Sequence, residues 1–170
     1  VPGEVLYPVK LATERVQTTF ATSSERRARL HTEFAGRRLQ EVTEITYSTR
    51  DGKDERVRTA VAGFRNELAS ANGELSNSDV TGPEATAIAM VIDRKTDEYE
   101  SVIARSEAAL PEGTKPSVAD ALQAVEAVDA HAISSLVTSH EATQEPQTAV
   151  HLESSFQETY NTLKLRLTLD

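Results

Sequence analysis

The sequence predicts an all-α fold, a bundle of five or six amphipathic helices. Three observations lead there: apolar residues recur at three- and four-residue spacing, helix-start and helix-stop signals separate those stretches, and alanine is plentiful while aromatics are scarce. Hydrophobic residues are 38% of the 170 and aromatic residues only 5%. The core must therefore be built from Leu, Val, Ile and Ala, which suits close-packed helices better than an aromatic-rich sandwich. At this length one core suffices, so residues 1–170 read as a single domain.

Residues 1–7 read as an extended lead-in, because Pro2 and Gly3 punctuate the chain and Pro8 suits the first position of a helix. The first helix is expected from about Pro8 to Ala21, with Leu11, the Arg15 stem, Val16 and Phe20 inward. Thr22-Ser23-Ser24-Glu25 has capping-box spacing, Thr22 accepting from the amide three residues on while Glu25 reaches back. It starts a second helix to about Ser48, carrying Ala28, Leu30, Phe34, Ala35, Leu39, Val42 and Ile45. Glu25/Arg29 and Glu33/Arg37 have favourable i,i+4 order there.

Arg50-Asp51-Gly52 breaks that helix. A third, about Lys53 to Ala71, has a seam of Val57, Val61, Phe64, Leu68 and Ala71, and Asn72-Gly73 supplies a left-handed stop. Thr81-Gly82-Pro83-Glu84 gives another capping box for a fourth helix to about Leu110, with Ile88, Val91, Ile92, Tyr99, Val102 and Ile103 inward. Pro111-Glu112-Gly113 ends it. A fifth helix, Ser117 to about His140, uses Val118, Leu122, Val125, Ala132, Ile133 and Leu136. A sixth starts near Pro146 with Leu152, Phe156, Tyr160, Leu163 and Leu167 on one face. Residues 163–169 alternate with period two, a strand pattern, so both helix and strand stand open there, with helix preferred.

The formal charge of -9, from 27 acidic and 18 basic residues, opposes nucleic acid and anionic lipid as non-specific partners. With no cysteine, disulfides, thiolate nucleophiles and thiolate metal ligands are excluded. No stretch reaches the ~20 apolar residues that span a bilayer. The chain opens Val1-Pro2-Gly3 without an initiator methionine, which leads to the expectation of a leader or anchor ahead of Val1.

Candidate chemistry is sparse. His31, His131, His140 and His151 have no local metal-ligand spacing. His140 and His151 are placed to approach each other across the antiparallel hairpin of the fifth and sixth helices and are the weak candidates for a metal site, with Glu141 or Glu153 nearby. The acidic groups Asp97/Glu98/Glu100, Glu41/Glu44 and Glu126/Asp129 read as solvated helix faces. No serine sits in a nucleophile elbow and no glycine loop cradles phosphate. The run Glu25-Arg26-Arg27-Ala28-Arg29 with Arg37-Arg38 reads as a salt-bridged surface, because Glu33, Glu41 and Glu44 interleave it. Lys95, inside an apolar row, is either a snorkelling side chain or a buried partner of a carboxylate. No catalytic residue, cofactor or assigned metal ligand is expected.

Pro2-Gly3-Glu4-Val5-Leu6-Tyr7-Pro8-Val9-Lys10, followed by Arg27-Ala28-Arg29-Leu30-His31-Thr32-Glu33-Phe34-Ala35-Gly36-Arg37-Arg38-Leu39-Gln40-Glu41, is similar to a bacterial helical domain of unknown function. That family typically opens Pro-Gly-Asp-x-Leu-Tyr-Pro-x-Lys, and Glu4 stands here for the usual aspartate. Its members commonly follow a single transmembrane helix, and some are the outer portions of actinobacterial anti-sigma factors.

The resemblance implies structural roles for Pro2, Gly3, Leu6, Tyr7 and Pro8, which would anchor the lead-in beside the second helix at Leu30, His31, Phe34 and Leu39. It also implies an extracytoplasmic, membrane-tethered interaction or sensory domain with a protein partner, reaching the membrane only through an upstream anchor. The alternatives are a passive structural spacer, a metal-sensing domain or an enzyme.

Overall fold

The computed structural model describes residues 7–78 and 82–169, with side chains through residue 161. Six α-helices follow in order: α1 (Tyr7–Phe20), α2 (Ser24–Thr46), α3 (Lys53–Ser76), α4 (Pro83–Ser106), α5 (Lys115–Thr143) and α6 (Pro146–Leu169). Two short 3-10 turns, Glu107–Ala109 and Glu112–Thr114, join α4 to α5. Among the described residues there is no strand, and the fold is an all-α bundle.

Helices α2 to α5 make the core. α2 packs along α3, α4 along α5, and the two hairpins meet through α2 on α4 and α3 on α5. Ala35, Ala60, Ala89 and Ala132 are wholly buried, so helix backbones approach closely. Phe34, Phe64, Leu68, Ile92 and Leu136 fill the space between them, each side chain contributing about 1.5–3 kcal/mol by leaving water.

Two glycines make room for large side chains. A Cβ on Gly36 of α2 would lie 3.1 Å from the Tyr99 hydroxyl of α4, and one on Gly63 of α3 would lie 3.1 Å from Arg38 Cδ. Gly36, inside α2, is thus the floor on which Tyr99 packs. α1 lies outside the core on α2, and α6 lies outside it on α5 and α4.

The structure corrects several boundaries. Tyr7 is already helical, one residue before Pro8; Pro2, Gly3 and Leu6 lie outside the described residues. Ser23, not Thr22, caps α2, its hydroxyl accepting from the Arg26 amide at 3.3 Å. That register places Arg26 where a capping box needs a carboxylate. Gly52 adopts φ 69° at the start of α3, as the break at Arg50-Asp51-Gly52 requires.

Helix α3 runs through Asn72-Gly73 to Ser76. Continuing one turn buries Leu75 and lets Asn72 Oδ1 meet His131 Nδ1 at 2.6 Å, which outweighs a local stop signal. Thr81 lies outside the described residues, and α4 starts at Pro83 behind Gly82. α4 ends at Ser106 rather than at Leu110, which is buried beyond the 3-10 turn. α5 starts at Lys115 and runs to Thr143, where Gln144 turns left-handed at φ 53°.

The inward faces of the two outer helices differ from expectation. In α1, Val16 and Phe20 are 53% and 78% exposed, while Glu14 is buried. In α6, Leu152 is buried as expected, but Phe156 and Tyr160 are more than half exposed and Thr148 and Ser155 face inward. The backbone of α6 stays helical through Leu169, so the strand alternative for 163–169 is overturned: a helix satisfies its own amides, whereas a lone strand leaves them unpaired.

Candidate functional site

Ionisable side chains attach both outer helices to the core, joined on α6 by the buried Leu152. On α1, Glu14 faces the guanidinium of Arg38, and Arg37 Nη1 lies 3.4 Å from Glu14 Oε1. Arg38 Nη1 donates to Glu41 Oε1 at 2.6 Å, and Lys10 Nζ reaches the same oxygen at 2.5 Å. The Arg38 guanidinium also sits 5.5 Å from the centre of the Tyr7 ring, in cation–π range.

Arg38, Glu14 and Glu41 are each at most 4% exposed. One buried cation thus serves two buried carboxylates, with Lys10 supplying the second positive charge. Such charges are costly to desolvate and persist only when paired. Burial raises the Tyr7 phenol, against the lowering effect of Arg38.

The second cluster joins α4, α5 and α6. Asp93, 2% exposed, receives His151 Nε2 at 2.7 Å on one oxygen and the Ser155 hydroxyl at 3.0 Å on the other. The Thr96 hydroxyl donates to Asp129 Oδ1 at 2.7 Å. Burial pushes the Asp129 carboxyl up to about 6 against the lowering effect of Thr96, with Asp93 and Glu100 adding their negative charge. Asp97 is pushed up to about 7 by partial burial and then by Asp93, Asp129 and Glu158. Asp97 stays on the exposed rim, where water and salt screen it.

The residues singled out from sequence are distributed rather than gathered. His31 Nδ1 lies 2.7 Å from Glu67 Oε2, and its ring stands edge-on to Phe34. Phe34 and Leu39 are buried, Leu30 is half-buried, and Pro8 is exposed. Arg37 stacks over Phe34 at 5.0 Å. Of the two weak metal candidates, His151 is taken by Asp93, while His140 Nδ1 is buried without a hydrogen-bond partner. Among the described residues, no group of three or more His, Asp and Glu side chains is arranged to hold a metal ion.

The basic run is salt-bridged, though not in the expected pairs. Arg27 binds Glu74 at 2.9 Å, Arg29 binds Glu33 at 3.2 Å, and Arg37 reaches Glu14 instead of Glu33. Lys95 snorkels outward to Glu98 at 2.5 Å. Glu41 and Asp129, read as solvated, are respectively buried and half-buried.

Sequence reasoning missed Glu14, Arg38, Glu41 and Asp93. A signal was present: Arg38 falls in the row Ala28, Ala35, Leu39, Val42, and Asp93 in the row Ala85, Ala89, Ile92, Thr96, Tyr99. A charge on the apolar stripe of a helix points either to a buried partner, as at Arg38 and Asp93, or to a side chain that snorkels out, as at Lys95.

No helix among the described residues is long and apolar enough to cross a membrane. One protein family, described as Domain of unknown function (DUF5667), matches residues 1–159, from the lead-in to the middle of α6. No curated protein and no solved structure matches the chain.

Proposed function

The chain belongs to the family described as Domain of unknown function (DUF5667), and from that footing we propose that it is a non-catalytic interaction or sensory domain, borne outside the cytoplasm by a membrane-anchored bacterial protein. The observation that carries the interaction reading is the outward face of α1. Val9, Val16 and Phe20 share one stripe of that helix and are 60%, 53% and 78% exposed, while its polar Lys10 and Glu14 turn to the core. A surface helix ordinarily does the reverse. Anchors at i, i+7 and i+11 suit a partner helix or groove, and the net charge of -9 disfavours nucleic acid.

The finer reading is the outer part of an anti-sigma regulator, supported by the opening motif Pro2-Gly3-Glu4-Val5-Leu6-Tyr7-Pro8. Deleting residues 1–170 in the native host while keeping the upstream segment, then comparing sigma-dependent transcription and co-purified proteins, tests it. Altered transcription with a specific partner that is lost in a Val16→Ser/Phe20→Ser variant supports the proposal. Unchanged transcription with no specific partner defeats it in favour of a passive spacer, and turnover by the isolated domain would favour an enzyme.

A further inference from the structure

Resting on the interaction reading of α1, we infer that the partner is a second copy of this chain, the outward face of α1 in one copy docking on the outward face of α6 in the next.

The exposed apolar surface is concentrated on the two outer helices. Among the described residues, the exposed large hydrophobic side chains other than Tyr47 all lie there: Val9, Val16 and Phe20 on α1, and Val150, Phe156 and Tyr160 on α6, each more than half exposed. At helical spacing, Val9, Val16 and Phe20 fall within about 40° of one another, which makes a narrow ridge. Val150, Phe156 and Tyr160 spread over about 120°, which makes a broader strip to receive one.

The charges beside the two stripes are opposite. Glu14, the one acidic residue of α1, is buried against Arg38, so the solvent side of that helix shows Arg15 and no carboxylate. In α6, residues 146–161 contain no lysine or arginine, and Glu153 stands in one row with Phe156 and Tyr160. Arg15 and Glu153 are both exposed, and among the described residues neither has an ion-pair partner. Arg15 supplies the counter-charge for Glu153, and its guanidinium also suits the faces of Phe156 and Tyr160. Docking α1 on α1, or α6 on α6, would set like charges together instead.

The placement of the two helices decides the symmetry. The core helices form a ring in which α2 touches α3 and α4, and α5 touches the same two. α1 rides on α2 and α6 mainly on α5, at opposite corners of that ring. A contact between unlike faces so placed is head-to-tail, and each copy keeps one face free to add another. The contact is also small. The 14 residues of α1 make a helix about 21 Å long and roughly 10 Å wide, well below the ~800 Å² per partner of a standard stable interface. Association is therefore weak, reversible and governed by local concentration.

Two variants that each block one face test the inference on the full 170-residue chain, with mean mass read by light scattering from about 10 µM to 1 mM. The native chain is expected to grow beyond a dimer as concentration rises. Val16→Ser/Phe20→Ser and Phe156→Ser/Tyr160→Ser, which alter only exposed side chains, should each stay monomeric. Mixed in equal amounts they should form a one-to-one pair that grows no further, because one intact α1 face and one intact α6 face remain to meet. Arg15→Glu and Glu153→Arg should likewise fail alone and associate when mixed. A native chain that stays monomeric throughout overturns the inference, as does association that survives either blocking variant. Binding of a monomer to phosphatidylglycerol vesicles through Val16 and Phe20 overturns it in favour of a membrane surface. A monomer that loses a different protein partner in Val16→Ser/Phe20→Ser sinks this inference and leaves the interaction reading standing. Self-association through both faces with unchanged transcription supports it and sinks the regulatory reading alone.

Discussion

The Tyr99 hydroxyl of α4 donates to the Thr32 carbonyl of α2 at 2.5 Å, passing over Gly36. The same ring stands at 80° to Phe64, 5.5 Å between centres, and burial raises the phenol above its ordinary value. It is clamped on two sides and cannot give way cheaply. In isolation, Gly36→Ala would gain roughly 1 kcal/mol of helix propensity. Here the new Cβ meets the hydroxyl oxygen, and the overpacking costs about 1–3 kcal/mol. We expect Gly36→Ala to destabilise the native protein and to stabilise the Tyr99→Phe variant, measured by urea unfolding. Stabilisation of equal size in both backgrounds would show that Gly36 is not there for Tyr99.

Removing Arg38 strands Glu14 and Glu41. Arg38→Met is expected to cost about 3–5 kcal/mol, the usual loss when one member of a buried ionic group is deleted. The triple variant Glu14→Leu/Arg38→Met/Glu41→Leu, which leaves no buried carboxylate in that network, should recover most of it. A loss below about 1 kcal/mol for Arg38→Met alone would mean that water reaches the network.

The outward face of α1 makes an opposite prediction. Val16→Ser and Phe20→Ser should leave stability within about 0.5 kcal/mol, since neither side chain is packed, whereas Leu152→Ala on α6 should cost about 2–3 kcal/mol. Thermal melts compare the three directly. Destabilisation by Phe20→Ser as large as that by Leu152→Ala would place Phe20 in a core.

Asp129 sets a pH-dependent effect on stability. Its carboxyl is pushed up to about 6, so ionisation opposes folding once pH exceeds the unfolded value near 3.8, and the penalty is complete above about 6. Asp129→Asn keeps an oxygen for the Thr96 hydroxyl and removes the charge. It should be near neutral at pH 4 and stabilising at pH 7.5, by about 1 kcal/mol after allowing for the part of the group that water still screens. Denaturant midpoints at the two pH values check it, and a stabilisation larger in acid would overturn it.

The core helices were legible because their apolar rows repeat at helical spacing: Val57, Val61, Phe64, Leu68 and Ala71 were all read correctly and all are buried. What was illegible depended on partners distant in sequence. Glu14 looks like a surface residue until Arg38, 24 positions away, turns that side of α1 inward and with it turns Phe20 out. Asn72-Gly73 spells a helix stop, yet Leu75 and the Asn72–His131 contact carry α3 past it. In the α4–α5–α6 cluster the carboxylates were visible as acidic residues, but whether each faced water or another carboxyl was set by how three helices meet. Local pattern reports period well and orientation poorly once a charge sits on the buried face.

The pairing of Lys10 with Glu41 and of Glu14 with Arg37 and Arg38 has a mechanical consequence. Going up α1 means going down α2, so the two form an antiparallel hairpin closed by residues 21–23. Tension applied at Tyr7 reaches the attachments one after another, the Tyr7 ring on Arg38 first, then Lys10 and then Glu14, like a zip opened from its free end rather than a row of rivets sheared together. The 14 residues of α1 lengthen by roughly 25 Å when drawn from helix to extended chain. Under such a load α1 is expected to yield before the α2 to α5 bundle.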